Sequence, residues 1–157
     1  MRDSFVIDSV FLTVLSKKTK YGLKALSYLA RNEEQQPTQI AAISKSENIP
    51  QKFLESILLS MRKSGFLGSK KGKGGGYYLL KPPEEIAISE VYRLLEGPIA
   101  MVPCVSLNFY EKCDDCEDEQ TCSVHKIMIQ VRDNTLEILN NTSLADLIRS
   151  ETFNLES

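Results

Sequence analysis

The string GSKKGKGGGYYLLKPP at 68–83 constrains this chain more than any other stretch. Gly72, Gly74, Gly75 and Gly76 interrupt it, with apolar Phe66 and Leu67 before them and the run YYLL at 77–80 after them. Such a pattern reads as two short strands joined by a tight turn, and Pro82 and Pro83 close the second strand. The segment just before it, 50–64, is of the opposite kind. Leu54, Ile57, Leu58 and Met61 recur at i, i+3, i+4 and i+7, the spacing that buries one stripe of an α-helix. Gln51, Lys52, Glu55, Ser56 and Arg62 then fall toward the other side. Gly65, with Arg62 and Lys63 in the last turn, marks where the helix stops.

Two further helices precede this unit. Residues 17–31 carry a broad apolar face of Tyr21, Leu23, Leu26, Tyr28 and Leu29. After a polar loop at 32–36, Pro37 and Thr38 announce a helix through Ile40, Ala41 and Ile43, with Thr38 its expected N-cap and its end near Glu47 and Asn48. Three helices and then a basic hairpin predict a mainly α fold, a winged helix-turn-helix with a two-stranded β wing. In that architecture the helix after the turn enters the major groove of a DNA duplex, whose width of about 12 Å admits it. Gln51, Lys52 and Ser56 would then reach base edges or phosphates. Lys70, Lys71 and Lys73 would reach phosphates or a minor groove, and glycines such as Gly75 would let the wing's backbone approach closely. Charge agrees with this division. Residues 1–97 hold 15 Lys and Arg against 10 Asp and Glu, while 98–157 hold 4 against 11, so a cationic half precedes an acidic one. A nucleotide-cradling loop is excluded, because G-x-x-x-x-G-K-[ST] is absent and no helix begins at the glycines.

All four cysteines and the single histidine lie between 104 and 125, spaced C-x8-C-x2-C-x5-C-x2-H. Thiolates and imidazole are the side chains that hold zinc or iron–sulfur clusters. Cys113, Cys116, Cys122 and His125 would make a Cys3His zinc site, and an iron–sulfur cluster is the other chemistry open to these residues. Disulfides would staple one loop only, so the cysteines point to a reducing, cytoplasmic setting. Catalysis is not expected: one histidine inside the cysteine loop leaves no nucleophile–base set, and the acidic neighbours of Cys113 and Cys116 disfavour a reactive thiolate. The run FVIDSVFLTVL at 5–15 is broken by Asp8 and followed by no small-residue cleavage site, and no apolar run approaches a membrane span.

Residues 88–95 read as a short helix closed by Gly97. Beyond the cysteines, Val124, Ile127, Met128, Val131, Thr135, Ile138 and Leu139 form one apolar stripe over 123–140, with Ile129 and Leu136 on a second face. A helix with two apolar faces needs two partners, its own domain and another subunit, which predicts a homodimer. The expected organisation is an N-terminal extension at 1–15, a winged helix-turn-helix at 16–97, a metal- or cluster-binding loop at 98–122, a dimerisation helix with a short terminal helix at 123–149, and a tail at 150–157.

The strings SKKTKYGLKAL (16–26), IPQKFLESILLSMRKSGFLGSKKGKGGGYYLLKPPEEI (49–86) and ILNNTSLADLI (138–148) resemble the IscR-type regulators. These are dimeric winged-helix transcription factors, many with an iron–sulfur cluster as sensor. The wing motif S-x-[RK]-G-x-x-G-G-Y at 69–77 is the most specific part of the likeness. The resemblance implies that Gln51, Lys52, Phe53, Glu55 and Ser56 face DNA, with Phe53 where tyrosine is common and Lys71 where many members carry arginine. Lysine lacks the planar guanidinium fork, so its minor-groove contact is expected to be looser. The resemblance also implies that Cys104, Cys116, Cys122 and His125 hold a cluster, [2Fe–2S] rather than [4Fe–4S], leaving Cys113 as an alternative ligand or free thiol. Operator affinity, and with it repression, would follow the state of that cluster. Members usually begin near Leu15, so the native start is expected near Val14.

Overall fold

The structure, a computed structural model, describes residues 15–32 and 36–153. All but the last residue of the expected N-terminal extension at 1–15 therefore lies outside the described residues, as do 33–35 and 154–157.

Helix α1 (Lys17–Ala30) begins at Ser16, whose hydroxyl accepts from the Thr19 backbone N–H. Helix α2 (Ile40–Glu47) ends at Asn48, which takes the left-handed conformation at φ 52°. Helix α3 (Gln51–Lys63) starts after Pro50 and buries Leu54, Ile57, Leu58 and Met61. Strands β1 (Leu67–Lys70) and β2 (Gly76–Leu79) pair antiparallel, with Leu67 opposite Leu79 and Lys70 opposite Gly76. Helix α4 (Ile88–Leu95) follows, then the long α5 (Ser123–Asn141) and α6 (Leu144–Phe153). The mainly α winged helix-turn-helix read from the sequence is the fold observed.

The core lies where α1, α3 and α4 meet, around wholly buried Leu26, Leu54, Ile57, Leu58, Met61 and Val91. Gly22 lies at that crossing, where a Cβ would meet Leu95 Cδ1 at 2.3 Å and Met61 Cε at 2.8 Å and both side-chain ends would have to shift. The C-terminal helices are tied back by backbone bonds from Ile88 N–H to Thr142 O and from Leu144 N–H to Ile86 O. Among the described residues no helix is long and apolar enough to cross a membrane.

Two local expectations change. Thr38 does not cap α2; Gln39 holds that position without a side-chain bond. Instead Thr38 adds a bridge to the wing, its N–H donating to Tyr77 O and its O accepting from Tyr77 N–H, each at 2.8 Å. A threonine favours extended backbone as readily as a cap, and the partner that decided the matter lies 39 positions away. The last helix also runs on to Phe153, past the short segment 143–149.

Candidate functional site

Two regions of the molecule gather the residues singled out above. The first is the solvent face of α3 with the wing. Gln51, Lys52, Phe53, Glu55 and Ser56 are all exposed, because the stripe at 54, 57, 58 and 61 turns the opposite face inward. Gln51 Nε2 donates to Glu55 Oε1 at 3.5 Å, and Ser56 Oγ donates to the Phe53 carbonyl at 2.8 Å. Lys70, Lys71 and Lys73 are exposed at the wing. Gly75 is buried in the turn, where an added Cβ would meet Lys70 O at 2.3 Å. Its place is therefore in the shape of the tip. Gly76, at φ 151°, leaves room for the Thr38 carbonyl, which a Cβ would meet at 2.2 Å. Sequence reading missed what sets the wing's posture: the Thr38 bridge, and Arg62 Nη1 donating to Ser69 Oγ at 3.2 Å. Neither has a local signature, since each links segments whose proximity exists only after folding.

The second region is a cavity of about 510 Å³ bounded by all four cysteines and His125. Cys104 arrives on a 3-10 turn, Pro103–Val105, and is buried. Cys122 caps α5, accepting from the His125 backbone N–H at 3.5 Å. Val102, Pro103 and Val124 supply apolar wall, while Glu111, Asp114 and Asp115 line the acidic rim. Tyr110 Oη donates to Glu119 Oε1 at 3.0 Å, closing the loop over itself. Arg132 Nη1 donates to Val105 O at 2.7 Å, so the turn bearing Cys104 is bound to the middle of α5.

The electrostatics of the thiols are uneven. The His125 N–H at the helix start, followed by a hydrogen bond from Cys116, holds the Cys122 thiol below its ordinary range. Cys116, hydrogen-bonded to Cys122 and to Cys113, is pushed up to about 12. Burial first, and then the charge of Glu119, raises Cys104. Among the described residues no group of three or more His, Cys, Asp or Glu side chains is arranged to hold a metal ion. His125 Nδ1 is nonetheless buried without a hydrogen-bond partner, an arrangement that costs free energy unless something fills it. Four sulfurs and the His125 imidazole around one mainly apolar cavity are a donor set that fits a thiolate- and imidazole-held group.

The face of α5 turned to solvent is equally uneven. The helix buries no residue completely. Leu139 packs against the core and Leu136 lines the gap beside Arg93 and Pro98. Val124, Ile127 and Ile138 remain more than half exposed.

Comparison with known proteins bears on the family and the fold. Residues 15–150 match the family model Rrf2, described as an iron-dependent transcriptional regulator. An rrf2-like HTH-type transcriptional regulator of Rhodobacter capsulatus is 41% identical over 138 residues, covering 86% of this chain and 92% of that protein. The structure of CymR, the global cysteine regulator of B. subtilis, superposes with a TM-score of 0.71 at 31% identity, covering 87% of this chain and 96% of that one. The structure of T. potens IscR gives 0.69 at 25% identity, with 87% of each chain covered.

Proposed function

The chain belongs to the Rrf2 family of helix-turn-helix transcriptional regulators, and on that premise we propose that it is a cytoplasmic, homodimeric repressor whose operator affinity follows an iron–sulfur cluster. The observation that carries this reading is the convergence of Cys104, Cys116, Cys122 and His125 on one cavity. Those four would be the ligands, with [2Fe–2S] preferred to [4Fe–4S]. Cys113, which shares a hydrogen bond with Cys116, would be an alternative ligand. Such a group supplies one-electron redox chemistry and lability toward oxidants. The chain's own part is to hold its ligands on three separate pieces, Cys104 on the 3-10 turn, Cys116 on the loop and Cys122 with His125 at the start of α5, so that their separation reports on what lies between them.

The exposed lysines 70, 71 and 73 support phosphate contact by the wing, and residues 51, 52, 53, 55 and 56 support insertion of the start of α3 into a major groove. Val124, Val131 and Ile138 recur at seven-residue intervals with Ile127 beside them, the pattern of a helix that packs along a partner. The exposure of Val124, Ile127 and Ile138 in the single chain supports a dimer seam along α5. A change at the first turn of α5 would then alter the angle between two recognition helices, and half-site spacing is a geometric requirement.

A second reading rests on the likeness to CymR, the global cysteine regulator of B. subtilis: a winged-helix regulator with structural zinc, or with no metal, answering another signal. One experiment separates the two. Protein purified without oxygen should be brown, contain iron and sulfide, bleach in air, and change its affinity for operator DNA at fixed salt when stripped. Colourless protein with stoichiometric zinc, or equal affinity before and after stripping, overturns cluster control.

A further inference from the structure

In the first turn of α3, Phe53 is apolar yet stands in solvent beside polar Gln51 and Lys52. It occupies the third position of α3 and remains 36% exposed. It is not part of the buried core or of the apolar shell packed against it. What it touches is Tyr21 of α1, edge to face, with ring centroids 5.7 Å apart and planes at 73°. Tyr21 is itself packed on the core. The Phe53 ring is thus held by a fixed neighbour while one edge stays free. A ring so restrained has already lost much of its rotamer freedom, so contact with a ligand costs little further ordering.

A major groove offers hydrogen-bond donors and acceptors on every base pair, but only one apolar group, the C5 methyl of thymine. In a helix-turn-helix the N-terminal residues of the recognition helix meet the base edges. From the position of Phe53 we infer that its free edge reads a thymine methyl in each half-site, making it a specificity-determining residue beside Gln51 and Lys52. Tyr21 is the positioning residue that aims it. This rests on the DNA-facing role proposed above for the start of α3.

The test begins with selection of tight-binding duplexes from a randomised pool. Each thymine of the selected sequence is then replaced by deoxyuridine, which removes the methyl and leaves base pairing unchanged. Wild-type protein should lose about fourfold in affinity at one thymine per half-site, the worth of one methyl group removed from water. Phe53→Ala should bind thymine and uracil duplexes equally at that position. Phe53→Leu, still apolar, should keep part of the discrimination and checks that the alanine variant is not merely misfolded. Tyr21→Ala should reduce the discrimination without abolishing binding. Uniform affinity of wild-type protein for every uracil duplex overturns the inference alone. So does an unchanged uracil penalty in Phe53→Ala. Failure of the pool to enrich any sequence overturns the DNA-facing reading of α3 as well.

Discussion

Thr19→Val should destabilise the protein in a pH-dependent way, although the substitution keeps side-chain shape. Thr19 is wholly buried at the start of α1. Its hydroxyl donates to Glu96 Oε2 at 2.5 Å, and the Ser16 backbone N–H donates to the same oxygen at 3.1 Å. Glu96 ends α4, so these bonds fasten the first helix to the element that leads into the cysteine loop. Burial pushes the Glu96 carboxyl up, but the hydrogen bonds from Thr19 and Ser16 outweigh it and leave the group below the usual glutamate range. Valine removes the shorter bond. A hydrogen bond to a charged partner is worth about 1.5–3 kcal/mol, and the partial burial of this pair argues for about 1.5. Taking an unfolding entropy of about 2.1 cal/mol/K per residue over roughly 140 residues, the melting temperature should fall by about 5 °C at pH 7. A carboxylate with a depressed pKa stabilises the fold fully above its unfolded value, and that contribution is lost as pH falls through the folded one. The gap between wild type and variant should therefore narrow once the pH drops below the ordinary glutamate range. Thermal unfolding followed by circular dichroism at pH 7 and in acid measures both gaps. In a double-mutant cycle at pH 7, Thr19→Val and Glu96→Gln should be coupled by about 1 kcal/mol. A pH-independent gap, or additive single variants, would mean that Thr19 acts by packing alone.

Other perturbations separate the two regions of the molecule. Gly76→Ala should drive the new methyl into the Thr38 carbonyl, break the bridge to β2 and cost about 1–3 kcal/mol; DNA affinity measured by fluorescence anisotropy should fall while the absorption expected of the proposed cluster is unchanged. Lys71→Ala should weaken binding to all duplexes alike and lower the slope of log affinity against log salt by about 1, which titration at several salt concentrations reads directly. Cys122→Ser keeps an oxygen that caps α5 and removes a soft ligand. That variant should melt within about 2 °C of apo wild type yet show no visible chromophore after anaerobic reconstitution; a retained chromophore would move the ligand set to Cys113.

The winged helix-turn-helix was legible because its signals are local. The stripe from Leu54 to Met61, the glycines at 72–76 and the capping Asn48 and Gly65 each act within a few residues of themselves. The wing's anchorage was not. Thr38 reads as a helix cap in isolation, and only the folded chain sets its backbone against Tyr77. The cysteine loop was legible as composition, since four thiols and an imidazole in 22 positions demand an explanation. Its geometry was not, because Arg132 reaches Val105 and Tyr110 reaches Glu119 over separations that no periodicity encodes.

Those unread contacts carry the mechanical argument. Helix α5 is held at its start by Cys122, in its middle by Arg132 on the turn bearing Cys104, and at its end by the backbone bridge between Ala87 and Ser143. That bridge opens α4, and α4 closes on α1 through Glu96 and Thr19. Helix α1 in turn carries Tyr21, which bears on Phe53 at the head of α3. Each link is a direct contact at a helix or at the turn that flanks it, so a displacement at the cysteine cavity has a continuous route of contacts to the start of α3. The chain of contacts is an architecture, and coupling along it requires two discrete arrangements of α5. The Thr19→Val variant supplies the discriminating measurement: if the contact at Glu96 lies on the route, stripping the cavity should change operator affinity less in that variant than in wild type. An equal change in both would place the coupling in the angle across the proposed dimer seam instead.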